Sequence, residues 1–562
     1  MSGSRPPKSS EVERGTIYGA DRIDVKSLPL HCKPVGGVMD LSKMNLLTYQ
    51  SKNVFDEWLY QRQWLDNDSF YSSIPVRAPD DVGVARDFTD ADIERMLECK
   101  TIRRMHSGEP RESASCSVAT FDVPRGRVGL FKHPELAKGR ARPIRHTKDV
   151  NDALPMDPEH PVNLPHKDDI SGLVLDGEYM ISLDAAAFFD QFPYSDEVGS
   201  RFCFRHGGEI YALTSLAMGQ RQAVNVAVAA INLLVDFKRS SRRCLTYIDN
   251  VVFVGSREQV IADAREFVER CRFAGVIMNE DVSDLAALAV PAGGWCGVFL
   301  DCAAQTVCMT IKSVERTAQS WANRHIWTWR GWAAHVGLLF WSHGILEIPM
   351  YRFFPLLSFM SRVGARLTES PELWDVPAQV WPSAMEIMEE WTNIVVENRP
   401  RKVVVYSEPE WYLCTDASRW GWGYVAVQSV TGEVRSHGAP WDAAFEARHG
   451  DMLGHSTFAE PHGVVNSLCH LVAPGAGVRR VRVATDNMAT RWAFDKGWSP
   501  HAPQFNSALT RLHGMLPGVA IEMMFIKGES NPADKPSRGG VYTREALGAV
   551  ADCLRQVMGS RE

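Results

Sequence analysis

The run Cys244-Leu245-Thr246-Tyr247-Ile248-Asp249-Asn250-Val251-Val252-Phe253-Val254 sets a carboxylate and an amide between two apolar, β-branched stretches. That composition predicts buried strands joined by a tight hairpin carrying Asp249 and Asn250. A carboxylate among apolar neighbours is costly to desolvate unless a cation or a hydrogen-bonded partner compensates it. The arrangement recurs upstream, where Tyr179–Leu183 reads as a strand ending in Asp184. It recurs downstream in Cys414-Thr415-Asp416-Ala417-Ser418, at Glu460, in Ala484-Thr485-Asp486-Asn487 and in Asn531-Pro532-Ala533-Asp534. Six acids so placed point to two separate two-metal sites on one chain.

Asp184 and Asp249, on neighbouring strands, are suited to two hard cations that take oxygen ligands. Such a pair can activate a 3′-hydroxyl and stabilise a leaving pyrophosphate. Asp416 follows the strand Trp411–Cys414, Glu460 lies on an expected helix, Asp486 ends a strand, and Asp534 opens the last helical segment.

Composition bounds the rest. With 562 residues the chain is too long for one core. Its 45% apolar and 23% charged residues are ordinary for a soluble globular protein. No apolar stretch approaches the ~20 residues of a membrane span; Ala223–Val235 is too short and holds Asn225 and Asn232. The polar N-terminus lacks a secretory h-region, and twelve cysteines lack zinc-ligand spacing. An intracellular chain with free thiols, cytoplasmic or nuclear, is the expectation. The net charge of −7 argues mildly against nucleic acid, but carboxylates clustered at metal sites account for part of it. A local patch, Lys138 to Lys148, carries five Lys and Arg residues and no acid.

Residues 1–85 read as an N-terminal extension with an aromatic cluster at Trp58, Tyr60 and Trp64. From 86 to 310 strands alternate with helices, including helices over Ala223–Phe237 and Arg257–Ala274. Residues 311–400 look helical and tryptophan-rich (Trp321, Trp327, Trp329, Trp332, Trp341), at spacings that suit core packing. A charged break at Asn398–Lys402 marks the best domain boundary. Strand and helix then alternate over 401–545, with a polar tail at 546–562.

In these motifs the chain resembles a reverse transcriptase. Ser182-Leu183-Asp184 through Phe192-Pro193 looks like the first palm motif, and Tyr247-Ile248-Asp249-Asn250 like the YxDD hairpin. Leu216-Ala217-Met218-Gly219-Gln220 resembles the motif supporting the templating base and incoming nucleotide. Phe273–Asn279 and Trp295–Leu300 are similar to the next palm motif and the primer grip. Arg142–Asn151 resembles the fingers segment whose Arg, here Arg142, clamps a triphosphate. By resemblance Phe189 would exclude a ribose 2′-hydroxyl, and Gly219 would let the backbone approach the base pair. Three positions depart from the family: Asn250 for the second Asp, Met218 for a polar residue, and Val282 for a frequent Lys.

The order Asp416, Glu460, Asp486, Asp534 resembles ribonuclease H, although Lys527–Ser530 replaces the family's usual His. The ending Asn531-Pro532-Ala533-Asp534-Lys535-Pro536-Ser537-Arg538-Gly539 is similar to polymerases of DIRS/VIPER-like (tyrosine-recombinase) retrotransposons and of hepadnaviruses. The resemblance covers roughly residues 130–545. It implies a right-hand α/β polymerase with fingers, palm and helical thumb or connection, followed by an RNase H-like domain with a mixed sheet. It implies two Mg²⁺ ions per active site, with Mn²⁺ as an alternative, held by Asp184 and Asp249 and by Asp416, Glu460, Asp486 and Asp534. Asn250 would be a weaker oxygen neighbour of the first pair. RNA template, DNA primer, RNA–DNA hybrid and dNTPs are the implied partners. Two rival readings stay open: a decayed nucleic-acid-binding remnant, and a nuclease on an inactive polymerase scaffold.

Overall fold

A computed structural model describes residues 29–74, 82–106, 119–124, 127–128, 131–132, 141–155, 157–404, 408–472, 478–499 and 502–559. It divides into two compact units. One comprises Met1–Leu346, Asp375–Ala378 and Thr392–Val403; the other comprises Glu347–Trp374, Gln379–Trp391 and Val404–Glu562.

At the centre of the first unit, strand Asn250–Gly255 lies between Tyr179–Asp184 and Arg243–Tyr247, antiparallel to both. Alternate side chains leave this sheet on opposite faces. Ile181, Leu183, Val251 and Phe253 enter one apolar core, while Met180, Val252 and Val254 enter another. Burial on both faces explains why the sequence shows a continuous apolar run and no alternation. Helix Arg257–Phe273 starts at a capping box in which Ser256 and Gln259 satisfy each other's backbone N–H groups. Helix Ala223–Leu234 is buried on almost all sides. Its C-terminal carbonyls, Leu233 O and Leu234 O, accept from the guanidinium of Arg270 at 2.9 Å, which also donates to Thr48 O at 2.7 Å.

Residues 29–74 depart from the expected extension. Short helices Leu41–Met44, Lys52–Gln61 and Gln63–Asp66 bring Met44, Trp58, Trp64 and Leu65 into the core that holds Ile181 and Leu183. Two buried tryptophans make this segment part of the unit. Fully burying a large apolar side chain gains roughly 2–3 kcal/mol.

The stretch 311–400 is helical as expected, with helices Ile311–Ala322, Trp329–Leu346, Phe354–Glu369 and Pro382–Glu397. The boundary between units, however, runs through it. Arg401–Lys402, at the expected domain break, pairs with Thr306–Val307 at the edge of a four-stranded sheet in the first unit. Trp327, Trp329 and Trp332 are buried and serve packing. Among the described residues, no helix is long and apolar enough to cross a membrane.

The second unit is built on a mixed five-stranded sheet. Its order is Val434–Pro440, Gly421–Gln428, Trp411–Ala417, Arg480–Thr485 and Ala520–Phe525; the first two pairings are antiparallel and the last two parallel. Helix Ser456–Leu471 packs Val464, Val465 and Leu468 against Trp411, Leu413 and Val483. The opposite face carries Tyr412, Cys414 and Val427 and is covered by Ala551, Leu554 and Met558. Those residues belong to helix Arg544–Gly559, so the expected polar tail is mostly a helix with one apolar face. The α/β class with a mixed C-terminal sheet is the class expected from the sequence.

Candidate functional site

The register of the first sheet places Asn250 directly opposite both Asp184 and Tyr247, so the hairpin tip meets the end of the Asp184 strand. The turn is tight enough to hold Ile248 at φ +59°, a conformation that β-branched residues rarely adopt. Such a residue costs on the order of 1–3 kcal/mol and persists only where its surroundings impose it.

Asp184 and Asp249 line one cavity of about 330 Å³, together with Phe189 and Met218. Burial and then the negative charge of Asp249 push the Asp184 carboxyl up to about 6. Burial raises Asp249 as well. Two acids in one partly dry pocket repel each other, and a cation relieves both penalties. One oxygen makes this concrete: Asp184 Oδ1 is buried and has no hydrogen-bond partner among the described residues. The other oxygen, Oδ2, accepts from the Asn279 amide, and the Asp184 N–H donates to Glu280 Oε2 at 2.9 Å. The donor set is all oxygen, which fits Mg²⁺ or Mn²⁺.

Several residues occupy places different from those expected. Asn250 donates from Nδ2 to Asp249 Oδ1 at 3.0 Å, so its amide nitrogen orients that carboxylate. Gly219 gives room to protein: a Cβ there would lie 3.3 Å from Arg145 O and from Thr147 Oγ1. Phe189 is half-buried against the core and also walls the cavity. Met218 is 53% exposed at the cavity rim. Arg142 lies on strand Ala141–His146, but its side chain falls outside the described residues. Arg145, three residues on, reaches the cavity with its guanidinium paired to Asp190.

In the second unit, carboxylate oxygens of Asp416, Glu460 and Asp486 all lie within 4.8 Å of one another. Asp416 sits on the central strand and Asp486 just beyond the end of its parallel neighbour. Glu460 projects from helix Ser456–Leu471. The Ala417 N–H donates to Glu460 Oε1 at 3.2 Å, and the Ser537 hydroxyl donates to Asp416. Burial, followed by the charges of Asp416 and Asp486, pushes Glu460 up to about 9. Asp534 is outside this tight set. Arg538 holds its Oδ1 from Nη2 at 2.8 Å, although its charge still raises Asp416 and Asp486.

Gly463 lets the helix approach closely, since a Cβ there would meet Ala417 Cβ at 2.8 Å. Gly463→Val is therefore expected to push Glu460 away from Asp416 and to cost roughly 1–3 kcal/mol. Urea melts check this; an unchanged midpoint would refute the packing argument.

Sequence reasoning missed Asn279, Glu280, Arg145, Asp190 and Ser537. Asn279, Ser537, Arg145 and Asp190 stand inside quoted motifs, and that position was the signal available; the pairing of Arg145 with Asp190 left none.

No family model matches this chain, and no curated protein matches it. Solved structures of a foamy viral protease–reverse transcriptase are similar at low identity. One, in complex with double-stranded DNA, shares 13% identity over 81% of this chain and 72% of that one, with a TM-score of 0.44. A second DNA complex shares 11% over 89% and 99%, with a TM-score of 0.42. The complex with RNA/DNA hybrid shares 11% over 86% of this chain and 62% of that one, also at a TM-score of 0.42.

Proposed function

We propose that the chain is an RNA-directed DNA polymerase with ribonuclease H activity, copying RNA into DNA and then degrading the RNA strand of the hybrid. The observation that carries this reading is the pairing of Asp184 and Asp249 at one cavity, with a buried carboxylate oxygen left for a cation. A second acidic cluster, on a mixed sheet of its own, supports the nuclease half.

Asp184 and Asp249 would hold the polymerase cations, and Asp416, Glu460 and Asp486 the nuclease cations, with Asp534 released from Arg538 to join them. Bound divalent ions supply charge stabilisation at phosphoryl oxygens and activate the attacking hydroxyl or water. The protein's own groups do the rest. Asn279 and Asn250 fix the two polymerase carboxylates, Phe189 walls the nucleotide cavity, and the Ala417 N–H and Ser537 hydroxyl orient Glu460 and Asp416. RNA template, DNA primer, dNTPs and RNA–DNA hybrid are the proposed ligands. The 531–539 segment resembles both DIRS/VIPER-like and hepadnaviral polymerases; a DIRS/VIPER-like retroelement is the proposed source, and an intracellular setting follows from that proposal.

Primer extension on an RNA template, in Mg²⁺ and then Mn²⁺, tests the polymerase. Cleavage of a labelled hybrid tests the nuclease. Cleavage with no extension in either metal would establish the nuclease-only rival instead.

A further inference from the structure

The cavity holding Asp184 and Asp249 also receives a cation from a part of the chain that no polymerase-like motif covers. Lys33 lines it, with Nζ donating to Asn279 Oδ1; Asn279 in turn donates to Asp184. That link spans 246 residues of sequence.

The segment bearing Lys33 is firmly placed. Gly36 N–H donates to Cys99 O at 3.0 Å, Gly37 N–H to Asp190 O at 2.8 Å, Met39 N–H to Gln191 O at 3.0 Å, and Asp40 N–H to Ala274 O at 2.8 Å. The chain thus runs from the helical turn carrying Phe189 and Asp190 to the turn preceding Asn279. Gly36 is required by closeness, because a Cβ there would sit 2.0 Å from Lys100 O. Gly37 is required by its φ of +63°.

An ammonium has three N–H donors, and Asn279 uses one as a neutral acceptor. Among the described residues, no carboxylate forms an ion pair with Lys33. A second observation points to the same kind of ligand. The Arg145 side chain is 5% exposed and lines this cavity. Its Nη1 is paired with Asp190, yet Nε and Nη2 are buried without an acceptor among the described residues. Buried guanidinium N–H groups are almost always hydrogen-bonded, and charged oxygens are their best acceptors. A cavity with two metal-suited carboxylates, an ammonium and two orphan guanidinium donors fits an anion that brings divalent cations with it.

We propose that Lys33 is a phosphate-binding residue of this cavity, contacting the polyphosphate of the incoming nucleotide, with Arg145 beside it as a fixed donor. The proposal rests on the polymerase reading and adds a role for the N-terminal segment in it. The Lys33 charge also favours the ionised form of Asp184, though less than burial and Asp249 oppose it, and it supplies positive charge where the polyphosphate would sit.

Lys33→Ala and Lys33→Arg variants, matched to wild type in melting temperature, test it by direct titration with a dNTP and with inorganic tripolyphosphate, each with and without Mg²⁺. Losing one charge-assisted contact is expected to weaken binding of both probes by about tenfold in Lys33→Ala. Lys33→Arg should restore most of it. In primer extension Lys33→Ala should raise KM for dNTP more than it lowers kcat. A Lys33→Ala protein that binds both probes like wild type overturns the proposal. So does equal weakening by Ala and Arg, which marks a structural role. Wild type that extends primers while Lys33→Ala leaves KM unchanged sinks this inference and spares the polymerase reading. Lys33-dependent binding of dNTP without any extension does the reverse.

Discussion

Asp249→Ala is expected to lose nearly all dNTP incorporation while hybrid cleavage continues at the wild-type rate. The expected loss is on the order of a hundred- to a thousandfold or more, the scale seen when one preorganised electrostatic contact to a transition state is removed. Asp249 carries this weight because of its place. It stands at the tip of a hairpin whose second strand is buried on both faces, which fixes it beside Asp184 at the cavity. Asn250 cannot substitute, being a neutral amide already donating to Asp249. Primer extension and hybrid cleavage measured on one preparation decide the matter. Loss of both activities would mean that the hairpin is needed for folding or for holding the hybrid. Loss of neither would remove Asp249 from the chemistry.

The second large effect is at Glu460. Glu460→Gln should eliminate cleavage of the RNA strand and, in chelator, stabilise the protein above neutral pH. The carboxyl lies at about 9 in the folded protein against an ordinary value of 4.5. Between those values the folded state holds a proton that the unfolded state has released. Stability without metal therefore falls as pH rises through that window, by up to about 1.4 kcal/mol per pH unit from this group. Divalent cations bind the ionised cluster and should reverse the trend, since a ligand of the native state alone stabilises it. Thermal melts from pH 5 to pH 9, in EDTA and in Mg²⁺, are the measurement. Identical pH profiles for wild type and Glu460→Gln would overturn the assignment of that strain to Glu460.

The carboxylates were legible because burial forces a local signature. Asp184, Asp249, Asp416 and Asp486 all end or interrupt apolar strand runs, and such runs are short and contiguous in sequence. Asp534 was legible in order, but its engagement by Arg538 depends on a helical turn four residues long. Lys33, Arg145 and Asp190 were illegible as a group, since each is an ordinary charged residue until the fold brings it to the cavity. The helix Arg544–Gly559 hid for another reason. Its buried residues Ala551, Leu554 and Met558 keep helical spacing, but charged and small neighbours dilute them. Trp58 and Trp64 were noticed as a cluster, yet only the sheet they pack under shows what the cluster is for.

The grip of Arg270 on Thr48 joins residues 222 apart. During synthesis the first helices emerge long before that partner exists. At about 5–20 residues per second the delay is roughly ten to forty-five seconds. Trp58 and Trp64 have no finished core in that interval. The nascent chain therefore exposes this apolar surface until the helix bearing Arg270 clears the ribosome, and slowing translation before residue 270 should lower the soluble yield.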